Sequence, residues 1–133
     1  MTRLALTALL ALSACAAPDA PATAQDVPGT SPAAASPAAG FLARPAGALV
    51  VDVRTPAEYA SGHVAGAQNV DVNGGQFEAS LDGVDRARPV YLYCRTGRRS
   101  AAAAETLTRM GFQTVVNSGG FDALAAAGAE TDQ

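Results

Sequence analysis

Apolar residues in the second part of the chain come in short runs separated by turn residues, and between the runs the pattern becomes helical. Ala48-Leu49-Val50-Val51-Asp52-Val53 is a continuous, β-branched run of the length of a buried strand. Thr55-Pro56-Ala57-Glu58-Tyr59 follows as a helix start, with Thr55 as cap, Pro56 in the first turn and Glu58 placed for a capping box; Gly62 ends it. Asn69 to Val72 predicts a second strand and Gln76 to Leu81 one or two helical turns. Pro89 to Tyr93 predicts a third strand ending at Cys94, Ser100 to Met110 an Ala-rich helix closed by Gly111, Thr114 to Val116 a fourth strand, and Phe121 to Ala126 a last short helix. Short apolar strands alternating with helices predict an α/β fold: a small parallel sheet of about four to five strands flanked by helices on both faces.

The first forty residues read differently. Arg3 supplies a positive charge, and Leu4 to Leu12 is an apolar run too short to span a bilayer as a helix. Leu12-Ser13-Ala14-Cys15 looks like a bacterial lipobox, so residues 1–14 are expected to be a lipoprotein-type signal peptide and Cys15 the lipidated first residue of the mature chain. Conventional cleavage at the small residues around Cys15 is the alternative. Two or three acyl chains anchor a protein where one is marginal, which predicts an exported protein held at a membrane by its N-terminal lipid only, in the periplasm or at the cell surface. Ala16 rather than Asp after the Cys favours the outer membrane of a cell with two. Residues 15–40 are then the lipidated Cys and an Ala/Pro-rich disordered linker, too dense in Pro for helix and too poor in apolar bulk to pack; as a coil it would reach on the order of 25–30 Å. Residues 41–133 form the one folded domain, long enough for a compact core.

Composition narrows the function classes. A net charge of −3 favours neither nucleic acid nor an acidic membrane surface. Every basic residue is Arg. With one His and two Cys in unrelated contexts, neither a zinc site nor a disulfide is expected.

The chemistry concentrates at Cys94-Arg95-Thr96-Gly97-Arg98-Arg99-Ser100, which joins a strand end to a helix start. Ligands bind beyond the carboxyl ends of parallel strands. Successive main-chain N–H groups in a Gly-containing turn converge on one point, and the helix N-terminus behind them adds partial positive charge. Three Arg side chains stand around it. Each of these favours thiolate over thiol, so Cys94 is expected to titrate below the free value of about 8.5 and to act as a nucleophile.

Three segments resemble the rhodanese family, and small single-domain exported members in particular. Val51 to Tyr59 with Gly62 to Val70 looks like its N-terminal signature; Tyr91 to Ser100 resembles its active-site segment; Met110-Gly111-Phe112 and Val116 to Phe121 resemble its closing strand and Gly-Gly turn. The resemblance spans about Leu49 to Leu124 and implies a sulfurtransferase. Cys94 would accept sulfane sulfur as a persulfide in ping-pong fashion, and Arg95, Thr96, Gly97, Arg98, Arg99 and Ser100 would bind substrate and persulfide. It implies a small sulfur-containing anion as donor, a thiol or cyanide-like acceptor, and no metal or organic cofactor. A sulfur-carrier or binding module of the envelope is the alternative. A related cysteine phosphatase is disfavoured, because four residues rather than five separate Cys94 from Arg99.

Asp52, Arg54 and His63 belong to the signature as supporting residues. Asp52 is expected to tie down neighbouring main-chain N–H groups, Arg54 to pair with Glu58 or brace the Cys94 loop, and His63 to bond within its turn. Gly119-Gly120 is expected to permit close packing beside the cradle and Phe121 to form an apolar wall, while Arg86 and Arg88 are expected to be merely solvated.

Overall fold

The structure, a computed structural model, describes residues 36–133. The signal segment, Cys15 and most of the expected linker lie outside the described residues. The first helix, α1 (Pro37–Leu42), begins inside the stretch expected to be linker. Proline interrupts a helix interior but suits its first turn, and Ser36 caps the helix by accepting from the Ala39 N–H at 3.2 Å. Phe41, fully buried edge-on to Tyr91, ties the helix to the body.

Four parallel strands make the main sheet: β1 (Leu49–Asp52), β3 (Gln68–Asn69), β4 (Val90–Cys94) and β5 (Val115–Gly120), in the order β3-β1-β4-β5. The α/β class and the parallel sheet expected from the apolar runs are observed. β1 and β4 are central and buried at every position, hence their apolar character up to Asp52 at the end of β1. Alternate residues feed two cores. Leu49, Val51, Val53, Val90 and Leu92 pack with Phe77 and Leu81 of α3 (Phe77–Leu81) and with Ala103 and Leu107 of α4 (Arg98–Arg109). Val50, Tyr91 and Tyr93 pack on the opposite face with Phe41 and with Leu124 of α5 (Phe121–Ala126).

Several bounds differ from expectation. The strand expected over Asn69–Val72 is confined to β3, although the Val70 N–H still donates to the Asp52 carbonyl at 2.9 Å. β5 runs on to Gly120, and α4 starts two residues early, at Arg98, because Gly97 at φ +89° turns the chain sharply into it. A two-stranded antiparallel pair, β2 (His63–Val64) with β6 (Thr131–Asp132), has no periodic signal in the sequence, since two residues are too few to carry one. Helix α2 (Pro56–Ala60) has the expected capping box, both of its reciprocal bonds being present.

The chain leaves β1 toward β3 on one side and returns to β4 on the other. The order therefore reverses between β1 and β4, and a parallel sheet opens a crevice beyond its carboxyl ends at such a point. Cys94 is the last residue of β4.

Candidate active site

The Cys94 side chain is fully buried under the loop that follows it. The Gly97 N–H donates to Sγ at 3.1 Å, and the Ser100 hydroxyl lies 3.6 Å away. Burial by itself would raise the thiol's pKa. The main-chain N–H groups of Ser100, Thr96 and Gly97 outweigh it, and the pKa falls below the ordinary value. The lowering thus comes mainly from the donor ring at the start of α4. Among the three arginines, Arg95 and Arg98 are exposed and Arg99 is half-buried, its pKa raised chiefly by the hydrogen-bonded Glu58 and in smaller part by the charge of Cys94.

Two residues without an expected site role hold the ring in place. Asn117 on β5 donates from Nδ2 to the Gly97 carbonyl at 3.1 Å, while its Oδ1 accepts from Ser100 Oγ at 2.7 Å and from the Gly119 N–H at 3.0 Å. It clamps both ends of the cradle to the neighbouring strand. Glu58 is the other. Arg99 donates to both its carboxylate oxygens, at 2.9 and 2.8 Å, and the same carboxylate accepts from the Thr55 N–H and hydroxyl at 3.1 Å each. A helix cap and the Cys94 loop thus share one carboxylate. The capping-box spacing flagged Glu58 as a cap, but nothing local in the sequence points to its second partner.

The expected pairing of Arg54 with Glu58 does not form, because a nearer carboxylate claims the guanidinium. Arg54 pairs with buried Asp52, Nη2 to Oδ2 at 2.7 Å, and Nη2 also donates to the Gly62 carbonyl at 2.6 Å. Asp52 Oδ1 accepts from the Arg54 N–H at 2.9 Å. The guanidinium lies 4.5 Å from the Phe121 ring centroid, setting that aromatic wall beside the loop. His63 stacks on Tyr59 with centroids 3.7 Å apart and donates from Nδ1 to the Tyr59 carbonyl at 3.1 Å. Arg86 and Arg88 are not merely solvated: Arg86 binds the Leu81 and Val84 carbonyls and the Asp82 carboxylate, and Arg88 donates to the Gly47 carbonyl at 2.8 Å.

Gly97 and Gly120 are required by contact. A β-carbon on Gly97 would stand 3.2 Å from the Gly119 Cα, on a backbone already at φ +89°. Gly120 is the register partner of Cys94, and a β-carbon there would lie 2.6 Å from the Arg95 carbonyl oxygen. Gly120→Ala is therefore expected to push the loop away, lowering stability by about 2–3 kcal/mol in urea unfolding and slowing modification of Cys94.

The Glu58–Arg99 pair predicts a pH dependence. Hydrogen bonding from Arg99, aided by Thr55, pulls the Glu58 carboxyl down to about 2. A carboxylate with a depressed folded pKa adds stability that is present above its unfolded value, about 4.3, and is lost as pH falls toward 2. The expected result is an acid-side decline in thermal midpoint across that window, shallower in Glu58→Gln, which also loses about 1 kcal/mol at neutral pH.

A small α/β domain with one buried, N–H-cradled cysteine at the switch point of a parallel sheet is a defined class of protein. The chain belongs to the rhodanese-like family: the Rhodanese-like domain matches residues 38–127. It is 39% identical over 75 residues to the uncharacterized protein YqhL of Bacillus subtilis (strain 168), a match covering 56% of this chain and 58% of that one. It is 36% identical over 75 residues to the thiosulfate sulfurtransferase PspE of Escherichia coli (strain K12), covering 56% and 72%. The thiosulfate sulfurtransferase GlpE of Pseudomonas fluorescens (strain SBW25) is 42% identical over 81 residues, covering 59% and 72%. Among solved structures, a rhodanese with anions from E. coli superposes with a TM-score of 0.56 at 30% identity, covering 64% of this chain and 96% of that one. A rhodanese-related protein from Thermoplasma volcanium gives 0.61 at 27%, covering 71% and 93%.

Proposed function

We propose that this protein is a sulfurtransferase that moves sulfane sulfur from a small anionic donor such as thiosulfate to a thiophilic acceptor through a persulfide on Cys94. The observation that carries the reading is the donor ring around Sγ, with Gly97 N–H at 3.1 Å and the thiol's pKa lowered. The relatives named thiosulfate sulfurtransferase support the reaction class.

The thiolate attacks the outer sulfur of the donor. A new sulfur–sulfur bond forms at Cys94 as the donor's own sulfur–sulfur bond breaks, and the electron pair leaves with sulfite. An acceptor then attacks the outer sulfur of the persulfide, and Cys94 departs as thiolate. Neither half needs a metal, an organic cofactor or a strong base. The ring that stabilises the thiolate also suits the persulfide anion, so the same N–H groups serve both states. Arg98, exposed beside the cradle and outside the ion pairs of the described residues, suits the anionic end of the donor.

The decisive experiment is intact-mass analysis after thiosulfate treatment, where a gain of one sulfur atom that cyanide removes supports the reading. An unchanged mass overturns it. Persulfide formation with no turnover to cyanide or thiols would instead indicate a sulfur carrier. The rate of alkylation of Cys94 is also expected to rise with pH to a plateau with its midpoint below about 8.5, as measured by iodoacetamide labelling.

The run Leu4–Leu12 and the Leu12-Ser13-Ala14-Cys15 sequence support export and lipid attachment at Cys15, with the catalytic domain tethered outside the cytoplasm. The mass of the membrane-extracted protein tests this: residues 1–14 removed and acyl chains added on Cys15 are expected, and an unacylated chain overturns it.

A further inference from the structure

Two clefts border the Cys94 loop, and their charges differ. One, of about 400 Å³, is lined by Thr96, Arg98, Arg99 and Ala102, with cationic and no anionic side chains. The other, of about 270 Å³, is lined by Arg54, Glu58, Ser61, Arg95, Phe121 and Asp122. Glu58 borders the second and Arg99 the first, so their bidentate ion pair forms the wall between the two.

The second cleft has charges of both signs, most of them already committed. The ion pairs among the described residues join Arg54 to Asp52, Arg86 to Asp82 and Arg99 to Glu58. Within this cleft that leaves one cation, Arg95, and one carboxylate, Asp122, each exposed and without a charged partner there. Phe121, held by Arg54 at 4.5 Å, supplies an apolar surface, and Ser61 a hydroxyl.

A bare anion gains nothing from Asp122, and a bare cation nothing from Arg95. A small molecule with both an ammonium and a carboxylate satisfies both. We propose that this cleft is the acceptor subsite and that it selects thiols of the amino-acid type, which carry both charges, while the anionic donor approaches from the Arg98–Arg99 side. The inference rests on the sulfurtransferase reading. In the transfer step the acceptor's thiol proton goes to solvent and its thiolate attacks the outer sulfur of the Cys94 persulfide. The enzyme's sulfur–sulfur bond breaks, and Cys94 is regenerated as thiolate with release of the acceptor persulfide.

The test loads the full chain with thiosulfate and compares kcat/KM for cysteine, cysteamine, 3-mercaptopropionate and 2-mercaptoethanol in the parent protein and in Asp122→Asn. Dividing variant by parent for each acceptor cancels the differing acidities of their thiols. Exposed charge pairs support an expected drop of about three- to fivefold for cysteine and cysteamine, little change for 2-mercaptoethanol, and a rise for 3-mercaptopropionate as a like-charge repulsion is removed. A second variant, Asp122→Lys, should enlarge each change in the same direction. Equal ratios for all four acceptors would overturn the subsite while leaving the sulfurtransferase reading intact, since loading of Cys94 is measured separately by mass. If Cys94 never gains sulfur, both fall together.

Discussion

Cys94→Ser is expected to abolish sulfur transfer and leave the fold in place. The hydroxyl fits where the thiol sat and can accept the Gly97 N–H now bound to Sγ at 3.1 Å. What it lacks is an accessible anion: the donor ring lowers the pKa of a thiol from about 8.5, whereas a serine hydroxyl starts far above that. Oxygen also offers no polarisable partner for a sulfur–sulfur bond. Thiosulfate should therefore leave the variant's mass unchanged and turnover to cyanide below detection, with the thermal midpoint moved by no more than about 5 °C. Retained turnover in Cys94→Ser would remove this cysteine from the chemistry altogether.

Asp52→Ala is expected to cost the most stability, about 3–5 kcal/mol in urea unfolding. Asp52 is fully buried and Arg54 nearly so, their side chains joined at 2.7 to 3.0 Å. Removing the carboxylate strands a guanidinium among Tyr93, Phe121 and the Gly62 carbonyl. The loss belongs to the stranded charge rather than to the attraction of the pair. Replacing both residues together, as Asp52→Leu with Arg54→Met, should accordingly cost less than Asp52→Ala alone. Because Arg54 also seats Phe121 beside the loop, Asp52→Ala should slow sulfur loading of Cys94 as well as weaken the fold.

The sequence carried much of this site because its chemistry is local. A strand ending in Cys94, a glycine three residues later and a helix beginning at once place main-chain donors around one sulfur. The Thr55–Glu58 cap and the Gly111 helix end were legible for the same reason: their partners lie within a few positions along the chain. Arg54 was legible as a supporting residue but not in its pairing, since two carboxylates stood within a few residues of it and only the geometry of the β1 end selects Asp52. Asn117 was visible within a recognisable segment, yet its hold on Gly97 and Ser100 spans 20 and 17 positions.

By itself, then, the sequence determined the alternation of strand and helix, the parallel sheet, and the turn that carries Cys94 from a strand end to a helix start. All of these follow from hydrophobic period and short-range geometry. Tertiary structure alone decided which carboxylate holds Arg99, 41 positions away, which strand clamps the cradle, and that Gly120 lies against the Arg95 carbonyl. It also divided the surroundings of Cys94 into two clefts of unlike charge. Ion-pair partners and cleft walls are fixed by distances in space, and side chains far apart in the chain reach those distances only once both faces of the sheet are packed.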